Sequence, residues 1–293
     1  MLRLEAVPDT ADAAPDWSGP DAPDLACPLC GYNLRGLVGP RCPECGYAFA
    51  WRELLSPAFR EHPYLFEHAK AHLRRSFWKT ATAGLRPARF WTSIHPTQPS
   101  RVRRLLIYWF ACAAVYLIGL GCVAFGWLWV LAREYDMPLT RMSAYEWLGW
   151  AWAVAWMLLP LAWPWLTLAA LMVFRVSMRR ARVKSAHVMR CVLYSFDGIF
   201  WIGALFIVFG TWGAWAGDAR GWDRNLVPTT ATALMLGTIL MAVRLAVAYR
   251  LYLRFDRPVA TVLTSQVIVG LLMLTVMLKL YGHRLVYSLI WMF

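Results

Sequence analysis

Of the chain's 293 residues, 59% are hydrophobic and only 16% are charged, against about 25% charged in a typical soluble domain, which excludes a pair of ordinary soluble domains. The 30 Lys+Arg outnumber the 17 Asp+Glu, yet most basic residues adjoin apolar segments. That placement points to the positive-inside rule and anionic lipid, and away from nucleic acid as the main partner. The 18 Trp suit a membrane–water interface, where the ring is apolar and the indole N–H stays wet.

Residues 1–24 hold Glu5, Asp9, Asp12, Asp16, Asp21 and Asp24 among Ala, Pro and Gly. They offer little to bury and are expected to form a disordered acidic tail. The first apolar run long enough for a secretory leader starts only near Leu105, so the N-terminal part is expected to stay in the cytosol.

Residues 25–50 carry Cys-Pro-x-Cys-Gly-Tyr twice, as Cys27-Pro28-Leu29-Cys30-Gly31-Tyr32 and Cys42-Pro43-Glu44-Cys45-Gly46-Tyr47. Two residues between cysteines let one tight turn present both thiolates to one metal. The Gly after each second Cys permits the positive φ that turns backbone N–H groups toward sulfur. Two facing knuckles make a tetrahedral four-sulfur site suited to structural Zn²⁺, with no open position for a substrate. So small a module has almost no core, and metal binding is expected to supply its folding energy. Iron is the rival metal, since rubredoxins use similar knuckles. The 11 residues between Cys30 and Cys42 are fewer than a rubredoxin would have. Cys112, Cys122 and Cys191 stand singly in apolar segments and read as packing residues.

Residues 51–104 form a juxtamembrane region. An amphipathic helix is expected over 64–85, with Phe66, Ala69, Leu73, Phe77, Ala81 and Leu85 near one face and Lys70, Arg74, Arg75 and Lys79 adding charge. The pattern equally suits a helix in the membrane surface and one packed on the protein's own bundle. Pro87 should end it. His68 and His72 have the i, i+4 spacing of metal ligands, with His62 before them, but no Glu follows His68 and no third ligand is evident. They read as surface histidines.

The remainder predicts an all-α polytopic membrane bundle of five spans over 105–280, at about 105–132, 147–174, 191–217, 226–249 and 258–280, since about 20 apolar residues cross a bilayer core. Pro160 and Pro164 should kink the second span. Basic residues gather before span one (Arg101, Arg103, Arg104), between spans two and three (Arg175, Arg179, Arg180, Arg182, Lys184, Arg190) and between four and five (Arg250, Arg254, Arg257). The other loops are poor in excess charge: Arg133 and Arg141 against Glu134, Asp136 and Glu146, then Arg220 and Arg224 against Asp218 and Asp223. This alternation places the N-terminus inside and the C-terminus outside the cell membrane. Lys279 and Arg284 read as interfacial anchors, and 281–293 as a short tail along the outer surface.

Asp197 and Arg244 are the clear charges deep within spans. At 1.5 Å per residue, each lies roughly 9–10 Å in from the cytosolic side, so they could pair. A structural ion pair is the favoured reading over an ion or proton path, which would need further acids or a His chain. No phosphate loop, nucleophile elbow or paired-acid constellation occurs, and no enzymatic activity is expected.

Residues 85–280 resemble the Yip-domain family of Ypt/Rab-GTPase-interacting proteins and their bacterial relatives. The resemblance rests on Pro87-x-x-Phe90-Trp91 ahead of span one, on the five-span plan, and on Arg190-x-x-x-Tyr194 within His187-Val188-Met189-Arg190-Cys191-Val192-Leu193-Tyr194-Ser195. The N-terminal module resembles short zinc ribbons of bacterial membrane proteins. The resemblance implies the architecture, and in eukaryotic members an association with vesicle trafficking and GTPase binding. The resulting expectation is a membrane scaffold or adaptor that presents a zinc ribbon to a cytosolic protein. The alternative is a transporter or channel lined by Asp197 and Arg244.

Overall fold

The computed structural model describes residues 14–18, 23–56, 59–134, 144–177, 183–216, 219–255 and 257–290. Among them, α-helices follow one another with no extended strand. They are α1 (Trp51–Leu55), α2 (Leu73–Gly84), α3 (Pro87–Ser93), α4 (Val102–Glu134), α5 (Ala144–Ser177), α6 (Ser185–Ser195), α7 (Ile199–Ala216), α8 (Ala219–Leu251) and α9 (Pro258–Ile290). Four stretches are long and apolar enough to cross a membrane: Val102–Gly126, Ser185–Trp212, Thr232–Leu251 and Pro258–Val276. The fifth expected span lies on α5, whose apolar part within the described residues is the shorter Met157–Val173.

Several boundaries differ from expectation. Helix α8 starts at Ala219 and α9 continues to Ile290, so part of the loop expected before 226, and of the surface tail expected after 280, is helical. Most of the 1–24 tail, and most of the 175–182 and 133–141 loop charges, lie outside the described residues. Trp17 is not loose: its indole N–H donates to the Leu37 carbonyl at 3.2 Å, and its ring packs edge-on against Trp51.

The amphipathic helix expected over 64–85 is two pieces, a 3-10 turn at Phe66–His68 and α2 from Leu73. His72 sits at φ 56 between them, in the left-handed region. Side chains of α2 take over the backbone bonding of the lost turns. Ser76 Oγ donates to the Tyr64 carbonyl at 2.7 Å, and Thr80 Oγ1 accepts from Phe66 N–H at 3.0 Å. Helix α2 therefore buries Ser76, Thr80, Ala81 and Gly84, and turns Leu73, Trp78 and Leu85 outward. Pro87 ends the path of α2 but also opens α3 at its first turn, where a missing N–H costs nothing. Phe90 and Trp91 of α3 then insert against Tyr194 and Tyr252.

The helices meet as membrane helices do, through small residues and interhelical hydrogen bonds. Helices α4 and α7 approach backbone to backbone. A Cβ on Gly203 would fall 2.6 Å from the Tyr116 nitrogen, and one on Gly210 would fall 2.5 Å from the Cys122 carbonyl carbon. Between α5 and α9, Trp163 Nε1 donates to Gln266 Oε1 at 2.6 Å, and Gln266 Nε2 donates to Thr167 Oγ1 at 3.2 Å. Near Pro160, the Tyr116 hydroxyl donates to the Met157 carbonyl.

Candidate metal centre and the polar network beneath it

Each cysteine pair sits in a tight knuckle. In the first, Gly31 N–H donates to the Cys27 carbonyl at 2.8 Å and Cys27 N–H donates to the Tyr32 carbonyl at 2.7 Å. In the second, Gly46 N–H bonds the Cys42 carbonyl and Cys42 N–H the Tyr47 carbonyl, both at 2.9 Å. Gly31 and Gly46 take φ of 83 and 72, which only glycine adopts without strain. The four sulfurs of Cys27, Cys30, Cys42 and Cys45 lie within 4.8 Å of one another, a cluster that can hold one metal ion. Cys27 and Cys42 are buried, and Tyr32 N–H points at Cys30 Sγ from 3.4 Å. The thiols are unlike. The Cys45 hydrogen bond draws Cys27 down to about 5, while burial pushes Cys30 up to about 12. The Cys27 thiolate thus forms readily, while Cys30 and Cys45, both pushed up, give up their protons only with a compensating cation.

The module is docked on the helix ends. Lys184 N–H donates to the Leu29 carbonyl at 2.7 Å. Arg254 donates to the Ala48 carbonyl at 3.2 Å and lies over the Tyr47 ring at 5.6 Å. His187 Nε2 meets the Pro28 carbonyl at 2.9 Å. Because a carbonyl only accepts, this nitrogen carries the proton, and Nδ1 accepts from the Tyr252 hydroxyl at 2.7 Å. Tyr252 accepts in turn from Arg190 Nη1 at 2.8 Å. A directed chain therefore runs from Arg190 through Tyr252 and His187 into the first cysteine knuckle.

Arg190, a loop charge by its place in the sequence, is fully buried. Its Nε lies 2.8 Å from Glu67 Oε1, with neither side chain exposed. Its Nη atoms donate to the Gln98 and Pro99 carbonyls at 3.1 and 3.0 Å. Glu67 Oε2 accepts Arg101 N–H at 3.1 Å. Beyond the end of α6, Arg244 Nη2 on α8 lies 2.5 Å from Asp197 Oδ1 and donates to the Tyr194 carbonyl at 2.8 Å, while Tyr108 on α4 donates to Asp197 Oδ2 at 2.8 Å. Tyr194 bridges the two pairs, since its hydroxyl reaches Glu67 Oε1 at 3.4 Å. Asp197 occupies the Phe196–Gly198 3-10 turn that separates α6 from α7.

The histidines are also inside. His68 is buried: Nδ1 accepts His62 N–H at 2.9 Å and Nε2 donates to the Pro99 carbonyl at 3.0 Å. His62 Nδ1 accepts Leu65 N–H at 3.2 Å. Burial draws His62 down to about 4 and also lowers His68. The surface reading fails for these two because each ring completes backbone bonding that the missing helix does not supply; only His72 is exposed. Glu67, Gln98 and Tyr252 went unremarked in the sequence. An acid on a basic amphipathic segment, facing the arginine of Arg190-x-x-x-Tyr194, is the signal that could have found the pair.

No family model, curated protein or solved structure matches this chain. The fold and the site define a helical membrane protein whose four-cysteine module is joined to its helix ends through a buried polar network.

Proposed function

We propose that the chain is a non-enzymatic scaffold of the cell membrane, with five spans, the N-terminus in the cytosol and a structural Zn²⁺ at Cys27, Cys30, Cys42 and Cys45. An all-thiolate set of this spacing favours zinc. The fifth span rests on α5, and the orientation on loop charge. The Yip-like plan agrees with this reading, and the GTPase-binding role of its eukaryotic members suggests the kind of adaptor activity.

The observation that carries the reading is how the ribbon is held. Its knuckles are fastened to the helix ends by Lys184, His187 and Arg254, while residues 31–33, 35–36 and 38–40 face outward, with Val38 90% exposed. A rigid, metal-closed loop held off a membrane is suited to a protein partner. The Asp197–Arg244 pair supports a structural lock over a conduction path, because each Asp197 oxygen already has a partner.

The test is in-cell crosslinking and co-purification of the full-length chain, comparing wild type with Val38→Asp and Arg35→Glu. A protein captured by wild type and lost in both variants supports the scaffold. An identical set of captured proteins in all three overturns it.

A further inference from the structure

Between α7 and α8 lies a groove of about 710 Å³, walled by Trp201, Leu205, Leu236 and Leu240 and closed at its ribbon-side end by Leu85 and Arg244. Leu205, Leu236 and Leu240 are all more than half exposed, so the groove opens sideways, toward where lipid would lie. Along α8 it runs from Thr232 to Arg244. That is about 18 Å at 1.5 Å per residue, close to the ~15 Å of one leaflet of a 30 Å hydrocarbon core. Gly84 and Gly198 leave room at its closed end: a Cβ on Gly84 would fall 2.5 Å from Arg244 Nη2, and one on Gly198 3.3 Å from Nη1.

The excess charge at that end is basic. No carboxylate lines the groove. Asp197, the nearest acid, is already held by Arg244 and Tyr108. Among the described residues Arg244 makes no hydrogen bond beyond Asp197 and the Tyr194 carbonyl, both through Nη2. Arg86, between the lining residues Leu85 and Pro87, is exposed and in no ion pair among the described residues, as is Arg89 one turn on.

We infer that this groove is a binding site for one anionic glycerophospholipid. An acyl chain lies along α7 and α8, and the phosphate sits at the α2–α3 junction against Arg86, Arg89 and the free edge of Arg244. Apolar walls one leaflet long suit the chain. Two arginines in no ion pair among the described residues, Arg86 and Arg89, at the junction where those walls end, together with the Arg244 edge left outside its Asp197 pair, suit a phosphate carrying net negative charge. The inference rests on membrane insertion of the helices and is independent of the ribbon's partner and of the number of spans.

The test is native mass spectrometry of the full-length protein extracted from vesicles of equal parts phosphatidylglycerol and phosphatidylcholine. Wild type should retain one phosphatidylglycerol and little phosphatidylcholine. Arg86→Ala, at an exposed position, should lower retention about fivefold, and Leu240→Trp, which fills the groove, should remove it. Melting temperature in phosphatidylglycerol relative to phosphatidylcholine should fall with retention, which separates loss of lipid from loss of fold. Equal retention of both lipids, retention unchanged in both variants, or a second copy of the chain lost with Leu240→Trp in place of lipid would each overturn the proposal.

Discussion

Arg190 and Glu67 lie 2.8 Å apart with no solvent exposure, one near the start of an apolar stretch long enough to span a membrane and the other on the 3-10 turn packed against α4 and α2. Nearly every polar atom of the pair has a partner: Pro99, Gln98 and Tyr252 around the guanidinium, Arg101 and Tyr194 around the carboxylate. A buried pair so enclosed holds segments in register, and its cost appears when one half is removed. Glu67→Gln should leave Arg190 charged and uncompensated and destabilise the protein by about 3–5 kcal/mol. The double variant Glu67→Gln with Arg190→Met should be less destabilised than Glu67→Gln alone. Melting in detergent with both variants measures this; an additive loss would mean the pair is not coupled.

Acid should loosen the same layer. His62 is held to about 4 by burial, with the charges of His68 and Arg190 adding to the effect, against an unfolded value near 6.5. The unfolded chain therefore binds the proton first. The neutral ring's contribution is complete above about pH 6.5 and is lost as pH falls toward 4, on the order of 1–3 kcal/mol in all. The lowered His68 acts in the same direction. The melting temperature should drop between pH 7 and pH 5, and His62→Gln should flatten that drop. An equal drop in the variant would place the acid sensitivity elsewhere.

What could be read from the sequence follows the physics of each signal. The four-cysteine cluster is legible because ligand spacing is local: Cys27, Cys30, Cys42 and Cys45 need only two turns to converge. Hydropathy located the long helices, though α8 and α9 overrun their apolar windows, since a helix does not stop where its apolar face does. Counting residues from the flanking arginines put Asp197 and Arg244 at equal depth, and their side chains do lie 2.5 Å apart. The break in the helix expected over 64–85 is invisible to periodicity, because it comes from the Ser76 and Thr80 hydroxyls that compete for the backbone of residues 64–66. Nor can charge counting tell a loop arginine from one, like Arg190, that tertiary contacts draw inside.

Removing the metal should undock the module as well as unfold it. One zinc per chain and a colourless protein are expected by elemental analysis and absorbance; a red, iron-containing preparation would displace zinc. With Cys27→Ser, or under a strong chelator, the Pro28 and Leu29 carbonyls lose the knuckle that aims them at His187 and Lys184. Lys184 should then become cleavable by trypsin in the otherwise folded protein. Protection of Lys184 after complete metal loss would show that the ribbon's docking does not depend on its metal.

Gly203 tests whether the α4–α7 contact is as close as backbone permits. Its missing side chain faces the Tyr116 backbone, where an added Cβ would approach within 2.5 Å of Cα. Nothing flexible stands there to give way, so the helices themselves must separate. Overpacking of this kind typically costs about 1–3 kcal/mol. Gly203→Ala should fall in that range, and Gly203→Leu should prevent the bundle from assembling. Gly121 is on the same α4, with open space around its Cβ position, so Gly121→Ala should change little and controls for helix propensity. The three variants compared by melting and by monodispersity in detergent decide it, and equal stability of Gly203→Ala and Gly121→Ala would mean that α4 and α7 are not in backbone contact.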